Sequence, residues 1–398
     1  MKRFLGFLCA VILITVSGVF LFAFSLTRTY SFSLLGQQFS NLSRSDLLPL
    51  LEIMERKWQE EPFTLQVGEQ SFLLDKRKLG ITWNHTHIRN AILSGQQEVP
   101  LSLSFNKEVI RRLLQEIAQN CVLPPQNAAF KDQRFIRSRE GRVLSVEKSF
   151  AELKEKLEKG MEHVELTQFD TIPPQHDTAS LLAAKGFPHL LARYETSLKD
   201  RDEDVIFNIN KAAATLDGVI VEKGVTFSFN QVVGKADQED GYRKTQIVVN
   251  GKLVPGYGGG VCQVSTTLYN ALLHTEAEIL ERHPHSGYSP TTSYVPPGRD
   301  AAVSYGTKDL RFKFPDQTVV IFTYTVSNQL ICEIWGEKEN KNQTEIKVNI
   351  VSLNQEGESD GLLTVKTTVI RNGETVYRFR DTYLVPWDFA KSLDETQF

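Results

Sequence analysis

The amino-acid sequence predicts an α+β fold built from several domains. Helical and strand patterns alternate along the first two hundred residues, a mixture typical of α+β architectures. From about Asp202 onward, glycines, aromatic residues and short apolar strands become dense. The length of 398 residues exceeds what one compact core usually takes, so we expect two to four domains. The start of the chain adds a further element, a predicted transmembrane helix.

That helix is predicted from the charge pattern of the N-terminus. Lys2 and Arg3 precede a stretch from Phe4 to Leu26 that contains no charged residue. A bilayer-spanning helix needs roughly 20 such residues, whereas the core of a secretory signal needs only about 7–15. We therefore predict a single-pass anchor in the cell membrane over residues 1–29, with everything after it outside the cytoplasm. A cleaved export signal is the alternative, and it would export the same residues.

The remainder of the chain divides into four predicted parts. Residues 30–121 and 122–200 are two small α+β blocks in which amphipathic helices alternate with short strands. Residues 201–337 are a mixed α+β module with a glycine loop that leads into a cysteine-bearing helix. Residues 338–398 are a short all-β tail, because apolar and polar residues alternate there on both sides of a predicted hairpin turn.

Composition excludes several classes of function. The net charge is −3, and no clustered basic surface favours nucleic acid as a partner. Apolar residues make up 41% and charged residues 23%, an ordinary globular balance. No Walker loop, zinc-finger spacing or dinucleotide fingerprint is present, so we predict no cofactor and no metal.

The most informative segment is the run of glycines before Cys262. Gly258, Gly259 and Gly260 permit tight and left-handed backbone, and Val264 and the apolar residues beyond it fall at helical spacing. Cys262 is therefore expected in the first turn of a helix. The N–H groups and partial positive charge of a helix N-terminus favour a thiolate, which is the nucleophilic form of cysteine.

Partners for such a nucleophile follow along the chain. His283 and His285 lie at i, i+2 spacing, and either could act as the base for Cys262. Asp300 could orient the imidazole. A cysteine at a helix start, a later histidine and a polar partner beyond it follow the order of papain-like thiol enzymes, with the oxyanion bound by N–H groups at the helix start.

The sequence also predicts residues that would contact a substrate beside this cluster: Gly258, Gly259, Gly260, Gln263, Tyr269 and Arg299. Other interpretations stay open. Cys262 could be a buried structural residue, or could form a disulfide with Cys121 or Cys332. His283 and His285 could bind a metal with Cys262, the glycines could bind a phosphate, and Arg299 with Asp300 could be a structural ion pair.

A family resemblance is carried by a series of motifs in the same order along residues 202–336. They are Asn208-Ile209-Asn210-Lys211-Ala212-Ala213, Phe227-Ser228-Phe229-Asn230, Gly258 to Asn270, Arg282-His283-Pro284-His285-Ser286 and Tyr294 to Gly306. Together they resemble the VanW family, named after an accessory protein of vancomycin-type glycopeptide-resistance clusters. The two blocks before them resemble the peptidoglycan-binding domain often found upstream, through Lys78-Leu79-Gly80-Ile81 and Gly141 to Lys148.

The resemblance implies a bacterial cell-wall setting with peptidoglycan as a partner, and it does not by itself supply a reaction. Two hypotheses follow. In the first, a Cys262 thiolate attacks a carbonyl in the peptide part of peptidoglycan, with His283 or His285 moving protons and Asp300 orienting the ring. In the second, the same cleft binds wall peptides without turnover, and the protein is a scaffold of the envelope.

Overall fold

The computed structural model describes residues 28–249, 252–289, 294–356 and 359–390. The elements up to residue 173 are, in chain order, β1 (Tyr30–Leu34), β2 (Gln37–Leu42), α1 (Leu47–Glu60), β3 (Phe63–Val67), β4 (Gln70–Leu74), β5 (Ile81–Trp83), α2 (His85–Leu93), β6 (Leu103–Phe105), α3 (Lys107–Asn120), β7 (Ala129–Lys131), β8 (Arg134–Ile136), β9 (Gly141–Leu144), α4 (Val146–Glu158), β10 (His163–Leu166) and β11 (Phe169–Ile172).

The elements beyond residue 173 begin with a short helix and end with three long strands and a further short helix. They are α5 (Thr178–Ala184), β12 (His189–Ser197), α6 (Glu203–Leu216), β13 (Val219–Val221), β14 (Phe227–Ser228), α7 (Phe229–Val233), β15 (Lys244–Val249), β16 (Lys252–Tyr257), α8 (Val261–Leu273), β17 (Glu278–Glu281), β18 (Arg311–Lys313), β19 (Val319–Val326), β20 (Gln329–Gly336), β21 (Thr344–Glu356), β22 (Asp360–Arg371), β23 (Glu374–Pro386) and α9 (Trp387–Ala390).

These elements form two compact units. The first unit takes the chain up to Pro125 together with Glu140–Pro173, and the second takes Gln126–Arg139 and the chain from Pro174 onward. The predicted divisions near residues 121, 200 and 337 are finer than this partition and stay predictions.

The first unit packs amphipathic helices against small sheets. Strand β3 pairs with β4 in antiparallel and with β10 in parallel orientation. Helix α3 shows the local logic: the Asn106 side chain accepts a hydrogen bond from the N–H of Val109 at its start, and Ile110, Leu114 and Ile117 bury one face at helical spacing.

The second unit is centred on a four-stranded antiparallel sheet in the order β12-β20-β19-β13. Helices α6 and α8 pack on one face of it, α6 against β19 and α8 against β12 and β20. Their apolar side chains meet those of the sheet in one core, which includes Ile209, Leu216, Leu268, Ile321 and Ile334. Burial of these side chains fixes α8, and therefore the first turn of α8, relative to the sheet.

A three-stranded sheet, in the order β21-β22-β23, ends the second unit. Its strands are 12 or 13 residues long and carry the apolar alternation that the sequence predicts for the tail. The segment that follows β17 lies along its last strand, because Leu384 exchanges backbone hydrogen bonds with Ser286 and Tyr288. Tyr288 packs there against Tyr383 and Val385.

The structure corrects the predicted fold class in one respect. The longest described helices, α1, α3 and α6, have 14 residues each, and crossing a bilayer takes about 20 apolar residues. Among the described residues no helix is long and apolar enough to span a membrane, and these residues form a mixed α+β fold with many small sheets. The stretch from Phe4 to Leu26 on which that prediction rested lies outside the described residues.

Candidate functional site

The site begins at the glycine turn that leads into α8. Gly258 has φ +74 and Gly260 has φ +104, both in the left-handed region that favours glycine. A Cβ atom on Gly258 would lie 2.6 Å from the carbonyl oxygen of Ala236, and one on Gly260 would lie 2.7 Å from Cγ1 of Ile209. The turn therefore needs glycine both for its backbone angles and for its close packing.

This turn places Cys262 at the second residue of α8. The N–H of Val261 donates to the oxygen of Gly258 at 3.1 Å, and the N–H of Gln263 donates to the oxygen of Gly260 at 2.9 Å. Between them, the N–H of Cys262 has no hydrogen-bond partner in the part of the chain that the structure describes. One backbone donor thus stays available beside the Cys262 thiol, as helix N-termini permit.

His285 joins this thiol to a buried carboxylate. Nδ1 of His285 lies 2.6 Å from Oδ2 of Asp300, which also accepts the backbone N–H of His285 at 2.7 Å. Cys262 and His285 are also close enough that each shifts the pKa of the other. Since Nδ1 is taken by Asp300, Nε2 is the nitrogen that remains for the sulfur. The three side chains therefore form a Cys–His–Asp series.

The electrostatics of the series favour charge separation. Burial alone would raise the pKa of Cys262, but the hydrogen bond and positive charge of His285 outweigh it and the pKa falls below the usual thiol value. Burial alone would lower the pKa of His285, but the hydrogen bonds to Asp300 and Cys262 raise it to about 10. Both shifts favour a thiolate beside an imidazolium.

Asp300 is fixed as a carboxylate by its surroundings. Burial opposes its charge, yet its hydrogen bonds to His285 and the charges of His285 and Arg282 hold the pKa of Asp300 well below its ordinary value. Nη2 of Arg282 lies 2.8 Å from Oδ1 of Asp300, and Nε donates to its backbone oxygen at 2.6 Å. The hydroxyl of Tyr383 donates to the same Oδ1 at 2.6 Å. Every lone-pair direction of this buried carboxylate is therefore used.

Cys262 and His285 line a cavity of about 530 Å³. The glycine turn forms part of its wall, and Gln263 and Tyr294 line it as well. The remaining wall carries both signs of charge, through Asp200, Arg201, Asp202 and Lys235. A volume of this order accepts a small ligand or a few residues of a peptide.

The two predicted histidines have different partners. Nε2 of His283 lies 3.0 Å from Oε1 of Glu281, and its side chain is about a third exposed, at 37%. The His285 side chain is 12% exposed and bonds Asp300. The i, i+2 spacing suggested that both would point to the same side, but β17 ends at Glu281 and Pro284 separates them. Of the two, the structure brings only His285 to Cys262.

The predicted substrate-contacting residues fall into two groups. Gly258, Gly259, Gly260 and Gln263 line the cavity. Tyr269 is fully buried in the core, with the Arg282 guanidinium 5.4 Å from its ring centre. Arg299 donates from Nε to Oδ1 of Asn270 at 2.8 Å and is absent from the cavity wall. It is Arg282, and not Arg299, that pairs with Asp300.

Polar side chains that follow Cys262 along α8 hold the helix in place. Ser265, Thr266, Thr267 and Asn270 are all fully buried. Each is hydrogen-bonded: Ser265 donates to Ala301 O at 2.5 Å, Thr266 accepts from Ala301 N at 2.9 Å, Thr267 bonds Thr196 at 2.8 Å and Asn270 donates to Arg299 O at 2.8 Å. Satisfied buried polar groups of this kind fix an element in one position.

Sequence reasoning missed several groups of this site. Arg282 lies in a motif whose histidines predict chemistry, and the sequence assigns no role to the arginine. Asp200, Arg201 and Asp202 belong to a run of six charged residues, 199–204, which is a visible but weak signal. The Val303 backbone, whose N–H and oxygen lie 3.5 and 3.4 Å from the Cys262 sulfur, and the distant Tyr383 gave no sequence signal at all.

The alternative roles of the cysteines can be compared with the structure. Cys121, Cys262 and Cys332 are free thiols, so Cys262 forms no disulfide with either of the others. Within the described ranges, no group of three or more His, Cys, Asp or Glu side chains is placed to hold a metal ion.

Fold and site together define a mixed α+β protein with a Cys–His–Asp series at the start of a buried helix, open to a cavity. Residues 205–335 match the family model described as "VanW like protein", and residues 77–164 match the one described as "Putative peptidoglycan binding domain". The chain therefore contains a VanW-like domain, as its motifs predicted. Cys262, His285 and Asp300 all lie inside the VanW-like match.

Two curated proteins are similar to this chain. One is the uncharacterized protein YoaR of Bacillus subtilis, 43% identical over 31% of this chain and 40% of its own. The other is the vancomycin B-type resistance protein VanW of Enterococcus faecalis, 31% identical over 40% of this chain and 62% of its own. The chain thus spans less than two thirds of either relative. No solved structure matches it significantly.

Proposed function

We propose that the protein is a cell-wall protein that binds peptidoglycan and cleaves or transfers an acyl group in its peptide part through Cys262. The observation that carries the proposal is the contact series from Cys262 through His285 to Asp300 at a cavity. A thiolate paired with an imidazolium is the reactive form of a cysteine nucleophile.

The first half of the reaction forms an acyl-enzyme. The Cys262 thiolate attacks an amide carbonyl carbon, a C–S bond forms, and the carbonyl π electrons move to oxygen. The unpartnered N–H of Cys262 lies beside the sulfur and can donate to that oxyanion. When the intermediate collapses, the C–N bond breaks and the leaving amine takes the proton from Nε2 of His285.

The second half releases the acyl group. His285 is now neutral and removes a proton from the incoming nucleophile, which is water for hydrolysis or an amine for transfer. The nucleophile attacks the thioester carbonyl, the C–S bond breaks, and the thiolate and imidazolium are restored. Asp300 stays ionised throughout and stabilises the imidazolium each time it forms.

Peptidoglycan as the partner is supported by the domain composition. A match to a peptidoglycan-binding family precedes the VanW-like domain in the same chain, and the E. faecalis relative is named for vancomycin resistance. Both support a cell-wall association. The proposal includes an extracytoplasmic location, since the wall lies there.

The reaction is tested with purified sacculi and the full chain. Wild-type protein is expected to change the muropeptide pattern, and Cys262→Ala is expected to abolish the change, because no other group in the series can attack the carbonyl. Cys121→Ser is the matched control, since it removes a partly exposed free thiol of the first unit. The enzymatic proposal would be contradicted if folded wild-type protein left the muropeptide pattern unchanged, or if Cys262→Ala gave the same products as wild type.

Binding without turnover is the second candidate, and the upstream domain match favours it independently of the thiol. Co-sedimentation with sacculi measures it directly. Equal retention of wild type and Cys262→Ala, with no change in muropeptides, would identify a scaffold. Loss of retention on sacculi by both would remove peptidoglycan as the partner.

A further inference from the structure

Two residues from a different part of the chain hold the carboxylate of Asp300, one directly and one through Arg282. Asp381 and Tyr383 belong to β23, more than 45 residues beyond the end of the VanW-like match. The sequence predicted this strand only as part of a β tail. In the structure it runs directly behind the Cys–His–Asp series.

Tyr383 bridges the turn that carries Asp300. Its hydroxyl accepts the N–H of Gly298 at 2.8 Å and donates to Oδ1 of Asp300 at 2.6 Å. The Tyr383 side chain is fully buried. A single hydroxyl thus fixes both the backbone before Asp300 and the direction in which its carboxylate points.

Asp381 acts one step further back. Nη1 of Arg282 lies 2.6 Å from Oδ2 of Asp381, while Nη2 lies 2.8 Å from Oδ1 of Asp300. All three side chains are at least nine-tenths buried. With His285 and Cys262 they make a series of alternating charges, in which each group has neighbours of opposite sign.

We propose that the C-terminal sheet completes the active site, with Tyr383 and Asp381 as positioning residues that fix Asp300 against His285. Tyr383 and Arg282 together hold Oδ1, which leaves Oδ2 directed at the ring and backbone of His285. Asp381 shares the Arg282 charge and so keeps Arg282 from drawing the carboxylate away from the histidine.

This inference rests on the proposed function of Cys262, but its test needs no turnover. The rate at which iodoacetamide alkylates Cys262 is measured against pH on the full chain, with peptide mass mapping to follow that one cysteine. Wild type is expected to show a midpoint below the roughly 8.5 of an ordinary thiol. Tyr383→Phe is expected to raise the midpoint by roughly one pH unit, since it removes a hydrogen bond to a charged group. Asp381→Asn is expected to raise it by a smaller amount.

The matched control is Tyr377→Phe on the same strand. The Tyr377 hydroxyl bonds backbone groups of Ala277 and Ile279, so its loss loosens the same sheet without touching Asp300. Its alkylation midpoint is expected to equal that of wild type. A further comparison uses the His285→Gln background, in which Tyr383→Phe is expected to have no additional effect on the midpoint.

The outcomes separate the inference from the proposal it rests on. The positioning role would be overturned if folded Tyr383→Phe and Asp381→Asn both kept the wild-type midpoint, or if Tyr377→Phe shifted the midpoint as much as Tyr383→Phe does. Either result would leave the Cys262 chemistry intact. If the wild-type midpoint is low and both Tyr383→Phe and Asp381→Asn raise it, the positioning role is supported. If the same wild-type protein changes no wall substrate, the proposed turnover is contradicted. An ordinary midpoint in wild type would overturn both.

Discussion

Two helices of the molecule begin in opposite ways. At the start of α3, the side chain of Asn106 accepts the N–H of Val109 and fills a donor position that the helix itself leaves open. At the start of α8, Gly260 has no side chain to offer, and the N–H of Cys262 has no partner among the described residues. The first arrangement stabilises a helix, and the second leaves a backbone donor available beside the Cys262 thiol.

The largest expected effect concerns turnover at Cys262, at the start of α8. His285→Gln is expected to lower the rate of wall-peptide turnover by about a thousand-fold, because it removes both the proton carrier and the positive charge beside the sulfur. His283→Gln is the control, since His283 bonds Glu281 and has no contact with Cys262. Equal losses in the two variants, measured by muropeptide release, would contradict the assignment of His285.

The same pair predicts a pH dependence. Because the pKa of Cys262 is lowered and that of His285 is raised to about 10, the thiolate–imidazolium pair forms below the usual thiol range and is lost as pH rises through about 10. Turnover is therefore expected to rise with pH below the usual thiol range and to fall as pH passes through about 10. A single rise near pH 8.5 with no alkaline fall would contradict the pair.

The next effect concerns the glycine turn. Gly260→Ala is expected to lower the free energy of unfolding by about 2–4 kcal/mol, since a left-handed residue gains a Cβ that meets Ile209. Gly186→Ala is the control, because Gly186 has φ +92 with open space around it, and about 1 kcal/mol is expected there. Calorimetric unfolding of the two variants measures both. Equal losses would show that packing at Gly260 contributes nothing.

The smallest expected effect concerns the stability of α3, the helix that begins with a side-chain cap. Asn106→Ala is expected to lower the free energy of unfolding by about 1 kcal/mol, the usual cost of losing an N-terminal cap. Cys262 alkylation is expected to stay unchanged, since the change lies in the other compact unit. A changed alkylation rate would contradict the division into a structural and a functional helix start.

The sequence was sufficient for what depends on local pattern. Glycines followed by apolar residues at helical spacing predicted where α8 begins, and the family motifs predicted the VanW-like domain, which the family match confirms. The sequence did not predict which arginine pairs with Asp300. Arg299 is adjacent in sequence, yet Arg282 makes the contact because the chain folds back over 18 residues. Tyr383, 83 residues away, arrives only through long-range strand pairing.

The transmembrane helix was predicted from composition alone, and no described helix supports it. Tyr269 illustrates a different limit. It was predicted to contact a substrate, but it lies in the part of α8, from Gln263 to Leu273, in which every side chain is buried. Periodicity within an all-round buried helix does not distinguish the cavity side from the core side.

The hydrogen-bonded hydroxyls and amide beneath Cys262 have a consequence for how a ligand is accommodated. Sliding or rotating α8 would strip Ser265, Thr266, Thr267 and Asn270 of their partners in a dry interior, so Cys262 is held in one position. Adjustment to differently shaped ligands would then fall to the charged residues of the cavity wall, Asp200, Arg201 and Lys235. Under the proposed function, selectivity can change at these residues without displacing the Cys262 sulfur.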